Sequence, residues 1–287
     1  MTRHVSTLPV NGITVAYEAT SRAPDVLLLI HGHPFNRSMW APQLAAVEGA
    51  GWQAIVPDLR GYGETTVVPG VSTLEVLAED LGGLLDALGI GAVAVGGLSM
   101  GGQIAMEFCR RYPQRVRGLL LAATFPQAET VEGRRRRQDM AERLLREGMG
   151  NYAREVLPKM LGARSIAILP DVASKVLAMM VSTSPIGAAA ALRGRAERPP
   201  YEPVLATTTC PALVVVGSED AFTSRDDVDC MMSLLRNADL SWLPDVGHMP
   251  NLEAPKAFNT SLTKFLRRIV FHEAAMTGAR ASNRDKS

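Results

Sequence analysis

Apolar residues in this chain fall into short unbroken runs, separated by longer stretches where they recur every third or fourth position. Val26-Leu27-Leu28-Leu29-Ile30 ends at His31-Gly32, Gln53-Ala54-Ile55-Val56 at Pro57-Asp58, and Ala92-Val93-Ala94-Val95 at Gly96-Gly97. Leu119-Leu120-Leu121-Ala122, Ala212-Leu213-Val214-Val215-Val216 and Leu240-Ser241-Trp242-Leu243 have the same form. Runs without polar alternation predict strands buried on both faces, as in a parallel sheet. Residues 7–9 and 13–18, on either side of Asn11-Gly12, predict an antiparallel hairpin at the sheet edge. Between the runs, residues 72–88 carry Leu74, Leu77, Leu81, Leu84, Leu85 and Leu88 at helical spacing. Residues 101–112, stopped by Pro113, and 255–268, with Phe258, Leu262, Phe265 and Leu266 on one face, read as further helices. Strands alternating with helices predict an α/β fold.

The alternation breaks over residues 127–205. Helical patterns follow one another there (134–148, 151–161, 166–181 and 186–195) until Pro199-Pro200 and Pro203 mark a return to the sheet. The expected organisation is a core from residues 1–126 and 206–271, with 127–205 as a helical cap over the strand ends. The polar residues 272–287 are expected to form a disordered tail.

Composition narrows the function classes. Of 287 residues, 47% are hydrophobic and 21% charged, which is ordinary for a globular chain. Thirty basic and 29 acidic residues leave a net charge of +1, so no global field recruits nucleic acid or an anionic membrane. The Arg134-Arg135-Arg136-Arg137 run shares its helix with Met140, Leu144 and Leu145 and reads as a solvated face. The N-terminal segment is polar and contains Pro9, unlike a signal peptide, and nothing approaches the roughly 18 apolar residues of a membrane span. Cys109, Cys210 and Cys230 form an odd, scattered set without a CxxC pair, which argues against disulfides and zinc. A soluble, cytoplasmic protein with reduced thiols is the expectation.

The chemistry is carried by the strand ends, where open parallel sheets bind their ligands. Gly97-Leu98-Ser99-Met100-Gly101 follows one predicted strand and opens a helix, matching G-x-S-x-G. About one chain in ten of this length contains the pattern by chance, so its position is what gives it weight. Glycines two before and two after the serine relieve a sharp strand-to-helix turn, and the helix N-terminus supplies N–H groups for an oxyanion. His248, in Asp245-Val246-Gly247-His248-Met249-Pro250 after the last strand, is the candidate base for Ser99. Asp220, in Gly217-Ser218-Glu219-Asp220 after the strand 212–216, is the candidate acid. Glu219 is expected to point elsewhere, and Asp245 is too near His248 in sequence for good geometry.

Together with His31-Gly32-His33-Pro34 and Asp58-Leu59-Arg60-Gly61-Tyr62-Gly63, these motifs resemble the α/β-hydrolase superfamily. The nearest branch is that of the capped serine esterases, perhydrolases and haloperoxidase-like enzymes, and the resemblance covers about residues 10–270. It implies an eight-stranded, mostly parallel sheet with helices on both faces and a helical cap inserted after strand six. Related dehalogenases and epoxide hydrolases carry aspartate at the nucleophile position, so Ser99 argues against both reactions. The oxyanion hole would use the N–H of Met100 and, because Pro34 has none, that of His33. By the same resemblance His31 is a buried structural histidine, while Asp58 and Arg60 fix a loop as an internal ion pair. Phe35, Trp40, Phe125, Phe222 and Met249 flank the motif loops and are read either as an apolar pocket or as core.

The expected activity is hydrolysis of a small carboxylic ester or lactone through an acyl-enzyme, without metal or organic cofactor. Carbon–carbon bond hydrolysis, peracid formation, action at a peptide N-terminus, acyl transfer or cyclisation on the same triad, and a receptor-like ligand-binding role stand as alternatives.

Overall fold

A computed structural model of the chain describes residues 4–284, with side chains to residue 276. Its sheet contains β1 (Val5–Val10), β2 (Ile13–Ala19), β3 (Asp25–Ile30), β4 (Trp52–Pro57), β5 (Val93–Leu98), β6 (Val116–Ala122), β7 (Ala212–Gly217) and β8 (Ala238–Leu243). The strand order is β1-β2-β4-β3-β5-β6-β7-β8. β1 and β2 pair antiparallel, as do β2 and β4, and every other neighbouring pair is parallel. Asn11 (φ 47°) and Gly12 (φ 77°) turn the β1–β2 hairpin, both in the left-handed region that a two-residue type I′ turn requires.

The unbroken apolar runs are explained by two cores. Leu28, Ile30, Val95, Leu119 and Leu121 face one cluster, while Leu27, Leu29, Ala94 and Leu120 face the other. Period-two alternation is present, but both faces are dry. α1 (Ala41–Gly49) precedes β4, and α2 (Leu74–Ala87) and α3 (Met100–Arg111) flank β5 in sequence. α2 is capped by the Thr73 hydroxyl, which accepts from the Val76 N–H.

Between β6 and β7 lie α4 (Val131–Glu147), α5 (Met149–Met160), α6 (Ala163–Ile168), α7 (Pro170–Ser182), α8 (Pro185–Arg195) and α9 (Glu202–Thr207). α8 is seated against the loops leaving β3 and β4. The Ser72 N–H donates to the Ala190 carbonyl at 3.0 Å, and the Thr183 hydroxyl to the Pro34 carbonyl at 2.9 Å. A Cβ on Gly187 would collide with the Gly61 backbone, so close approach explains both glycines.

α10 (Arg225–Leu234), α11 (Pro250–Glu253) and α12 (Pro255–Arg284) complete the order. Two expectations need correction. The pattern over 166–181 is two helices, α6 and α7, broken before Pro170, since a residue preceding proline is pushed out of the α region. The expected tail from residue 272 is instead helical to Arg284, with residues 285–287 outside the described part; Glu, Ala, Met and Arg favour a helix although the segment is polar. Among the described residues no single helix is long and apolar enough to cross a membrane.

Candidate active site

Ser99 occupies the turn between β5 and α3 with φ 56° and ψ −115°, a conformation that costs a non-glycine residue about 1–3 kcal/mol. The surroundings hold it there. Its N–H donates to the Ala122 carbonyl at 2.9 Å, and its own carbonyl accepts from the Thr124 hydroxyl at 2.8 Å. A Cβ on Gly97 would strike the Gly101 backbone, and one on Gly101 would strike the Ile30 carbonyl, so the turn closes only with glycine at both places. The half-buried serine is thus presented beyond the carboxyl end of β5, with the orphan first-turn N–H groups of α3 beginning at Met100.

His248 and Asp220 arrive from the loops after β8 and β7. His248 Nδ1 and Asp220 Oδ1 are 2.8 Å apart, and both side chains are almost wholly buried. The same oxygen accepts from the N–H groups of Phe222 at 2.8 Å and Thr223 at 3.2 Å. Burial alone would raise the Asp220 pKa, but the charge and hydrogen bond of His248 and the Phe222 amide hold it below the usual carboxylate value. Asp220 is therefore ionised at neutral pH, and its carboxylate is placed to accept a hydrogen bond from the imidazole Nδ1–H. Glu219 is exposed, and Asp245 pairs outward with Arg164 at 2.9 Å.

The histidine loop has an anchor that sequence reasoning missed. Glu253, buried in α11, accepts from the Met249 N–H through Oε1 at 3.0 Å. Its Oε2 accepts from Gly247 at 3.0 Å and from Gly162, in the inserted segment, at 2.8 Å. One carboxylate clamps both neighbours of His248.

Ser99 and His248 line one cavity of about 220 Å³, together with His33, Phe125, Arg137, Tyr152, Val156, Met160, Leu192, Arg195 and Phe222. Larger hollows of about 720 and 870 Å³ open at the opposite, amino-terminal ends of the strands, around Cys210 and Ala92, and contain no such grouping. The His33 loop is pressed on the elbow, since a Cβ on Gly32 would come within 2.9 Å of the Leu98 carbonyl and 3.4 Å of Ser99 Cβ. His33 Nδ1 lies 2.7 Å from the Tyr62 hydroxyl. Burial, reinforced by the charge of Arg195, pushes the pKa of His33 well down, so its ring is neutral. Among the described residues no group of three or more His, Cys, Asp or Glu side chains is arranged to hold a metal ion.

The candidate pocket residues separate into two groups. Phe125 and Phe222 line the cavity, and the Phe222 ring centroid is 4.7 Å from that of His248. Phe35, Trp40 and Met249 are instead fully buried in the core cluster that includes Phe258. The expected Asp58–Arg60 pair is also replaced. Asp58 pairs with buried Arg37, while Arg60 reaches Asp80 at 2.7 Å. His31 is structural, accepting from the Leu59 N–H at 3.0 Å through Nε2, with Nδ1 2.9 Å from the Gly32 carbonyl. Arg137 corrects the solvated reading of the arginine run, for it lines the cavity and pairs with Glu129.

Comparison with known proteins bears on the family of the fold. Residues 27–260 match the model of the Alpha/beta hydrolase family. A thermophilic esterase from Thermogutta terrifontis, solved with malate bound, is 36% identical, with 93% of this chain and 99% of that chain covered and a TM-score of 0.89. The 3-oxoadipate enol-lactonase 1 of Acinetobacter baylyi is 26% identical over 82% of this chain and 85% of its own. Epoxide hydrolase 2 of Siraitia grosvenorii is 39% identical, but the match spans 40% of this chain and 37% of that relative. The chain belongs to the α/β-hydrolase family.

Proposed function

We propose that the protein is a serine hydrolase that cleaves a small carboxylic ester or lactone, with Ser99 as nucleophile, His248 as base and Asp220 as the acid that orients it. The observation carrying this reading is the 2.8 Å contact between His248 Nδ1 and ionised Asp220, made at the cavity that also holds Ser99. Asp220 fixes the tautomer that leaves Nε2 free to accept the serine proton. Ser99 Oγ then attacks the carbonyl carbon, and the oxyanion is held by the N–H groups of Met100 and His33, each worth about 3 kcal/mol. His248 returns the proton to the departing alkoxide, and water, deprotonated by the same imidazole, releases the acid from the acyl-enzyme.

Serine in the elbow favours acyl chemistry over epoxide opening. Attack on an epoxide would leave an ether on Ser99, with no carbonyl for water to attack, whereas an ester or lactone leaves a hydrolysable acyl group. The inserted helices, which contribute Arg137, Tyr152, Val156, Met160, Leu192 and Arg195 to the cavity wall, act in this reading as a substrate-selecting cap. A cavity of about 220 Å³ suits a small substrate. The test is turnover of a panel of aryl esters, lactones and β-diketones by the wild type and Ser99→Ala. Ester or lactone cleavage abolished by the substitution is expected; β-diketone cleavage alone would replace this reading with carbon–carbon hydrolysis, and no Ser99-dependent turnover would reject it.

A further inference from the structure

The cavity holding Ser99 carries positive charge that the protein leaves unpaired. Arg195 and Arg137 line it, and the Arg198 guanidinium packs 4.9 Å over the ring of Phe125, also in the lining. Among the described residues these three guanidiniums share one carboxylate at ion-pair distance. Glu129 pairs with Arg137 and lies 3.4 Å from Arg198. Arg195, 8% exposed, has no acidic partner there; its Nε donates to the neutral Gln103 Oε1 at 3.2 Å. The surrounding titratable groups supply no anion either. Burial raises the phenol pKa values of Tyr62 and Tyr152, and His33 is neutral. Burial, then the like charges of Arg137 and Arg198, pull Arg195 well below the ordinary arginine value.

A buried cation without a counter-charge is costly in the empty protein, and an anionic ligand offsets that cost on binding. Guanidinium is also the side chain best shaped for a carboxylate, through two parallel N–H···O bonds. We propose that Arg195, supported by Arg137, is a subsite for a carboxylate carried by the substrate. This rests on the hydrolase reading of the same cavity and narrows its substrates to esters or lactones bearing an acid group. Ser99 and Arg195 line the same cavity of about 220 Å³, and Arg195 is tied to Gln103, four residues after Ser99 in the chain, so a ligand that reaches both is short. Carboxylate and scissile carbonyl are then separated by only a few bonds, as in a half-ester of a short dicarboxylic acid.

The test compares mono-para-nitrophenyl glutarate with neutral para-nitrophenyl pentanoate on the full-length protein, after subtracting uncatalysed hydrolysis. The wild type is expected to favour the glutarate ester in kcat/KM by tenfold or more. Arg195→Gln lowers that ratio by about 10- to 100-fold, the range for a lost charge-assisted hydrogen bond, and Arg195→Lys restores part of it. Glutarate itself raises the Tm of the wild type and of Ser99→Ala but not of Arg195→Gln. A wild-type ratio near one, or a ratio unmoved by Arg195→Gln, overturns the subsite. If neither ester is cleaved, the ester half of the hydrolase reading fails, and the glutarate melting shift decides the subsite separately. A shift absent from the wild type, or kept in Arg195→Gln, rejects it.

Discussion

Replacing Glu253 by glutamine removes a charge and one acceptor while keeping the side chain's shape. Glu253 satisfies three backbone N–H groups, two on Oε2 and one on Oε1. The best glutamine rotamer keeps its oxygen on Gly162 and Gly247 and turns its amide N–H toward that of Met249. One charge-assisted bond of about 1.5–3 kcal/mol is lost, and the two survivors weaken by about 0.5–1 kcal/mol each on losing the charge. The expected destabilisation is about 2.5–5 kcal/mol, read as a lower midpoint in urea with unchanged slope. Because Gly247 and Met249 flank His248, the imidazole loses its fixed position, and a displacement near 1 Å costs about a hundredfold in kcat. Circular dichroism in urea and ester turnover, measured on the same preparation, check both effects. A variant within about 0.5 kcal/mol of wild type with unaltered kcat would refute the clamp.

Asp220→Asn is expected to reduce kcat by about a thousandfold or more, by stabilising the wrong imidazole tautomer, whereas Glu219→Gln stays within about twofold; the reverse pattern in steady-state kinetics would transfer the acid role to Glu219. Stability should fall on acidification. Burial lowers the pKa values of His31 and His33 from 6.5, so below about pH 6.5 the unfolded chain binds protons that the folded one refuses. Each histidine then removes up to about 1.4 kcal/mol per pH unit until its folded pKa is reached, and urea midpoints that stay level from pH 7.5 to 5 would contradict this (~ one proton each).

How much of this was legible in the sequence depends on which residues are asked about. The candidates Ser99, Asp220 and His248 could be picked out because each follows an apolar run, and strand ends of a parallel sheet converge on one rim. The wall of the cavity was harder, since it depends on how the inserted helices cross the core. Even so, a signal existed. Arg137 stands three, four and seven residues before Met140, Ala141 and Leu144, and Arg195 lies seven, four and three residues after Ala188, Ala191 and Leu192, so both share a buried face. Periodicity shows that such a residue points inward, but not whether it meets core or cavity. Phe35, Trp40 and Met249 show the same limit in reverse, being neighbours of motif residues in sequence with side chains directed into the packed interior. Asp58 found Arg37, 21 residues upstream, over Arg60, a contact fixed by loop packing that no local pattern records.

The central claim is that Ser99 Oγ is activated by His248. It is tested most directly by the rate of covalent labelling with a fluorophosphonate, with the modified peptide located by mass spectrometry. The account predicts one label per chain, on Ser99, absent from Ser99→Ala and slowed by orders of magnitude in His248→Ala. A folded wild type that takes up no label, or a His248→Ala variant that labels at the wild-type rate, would contradict it.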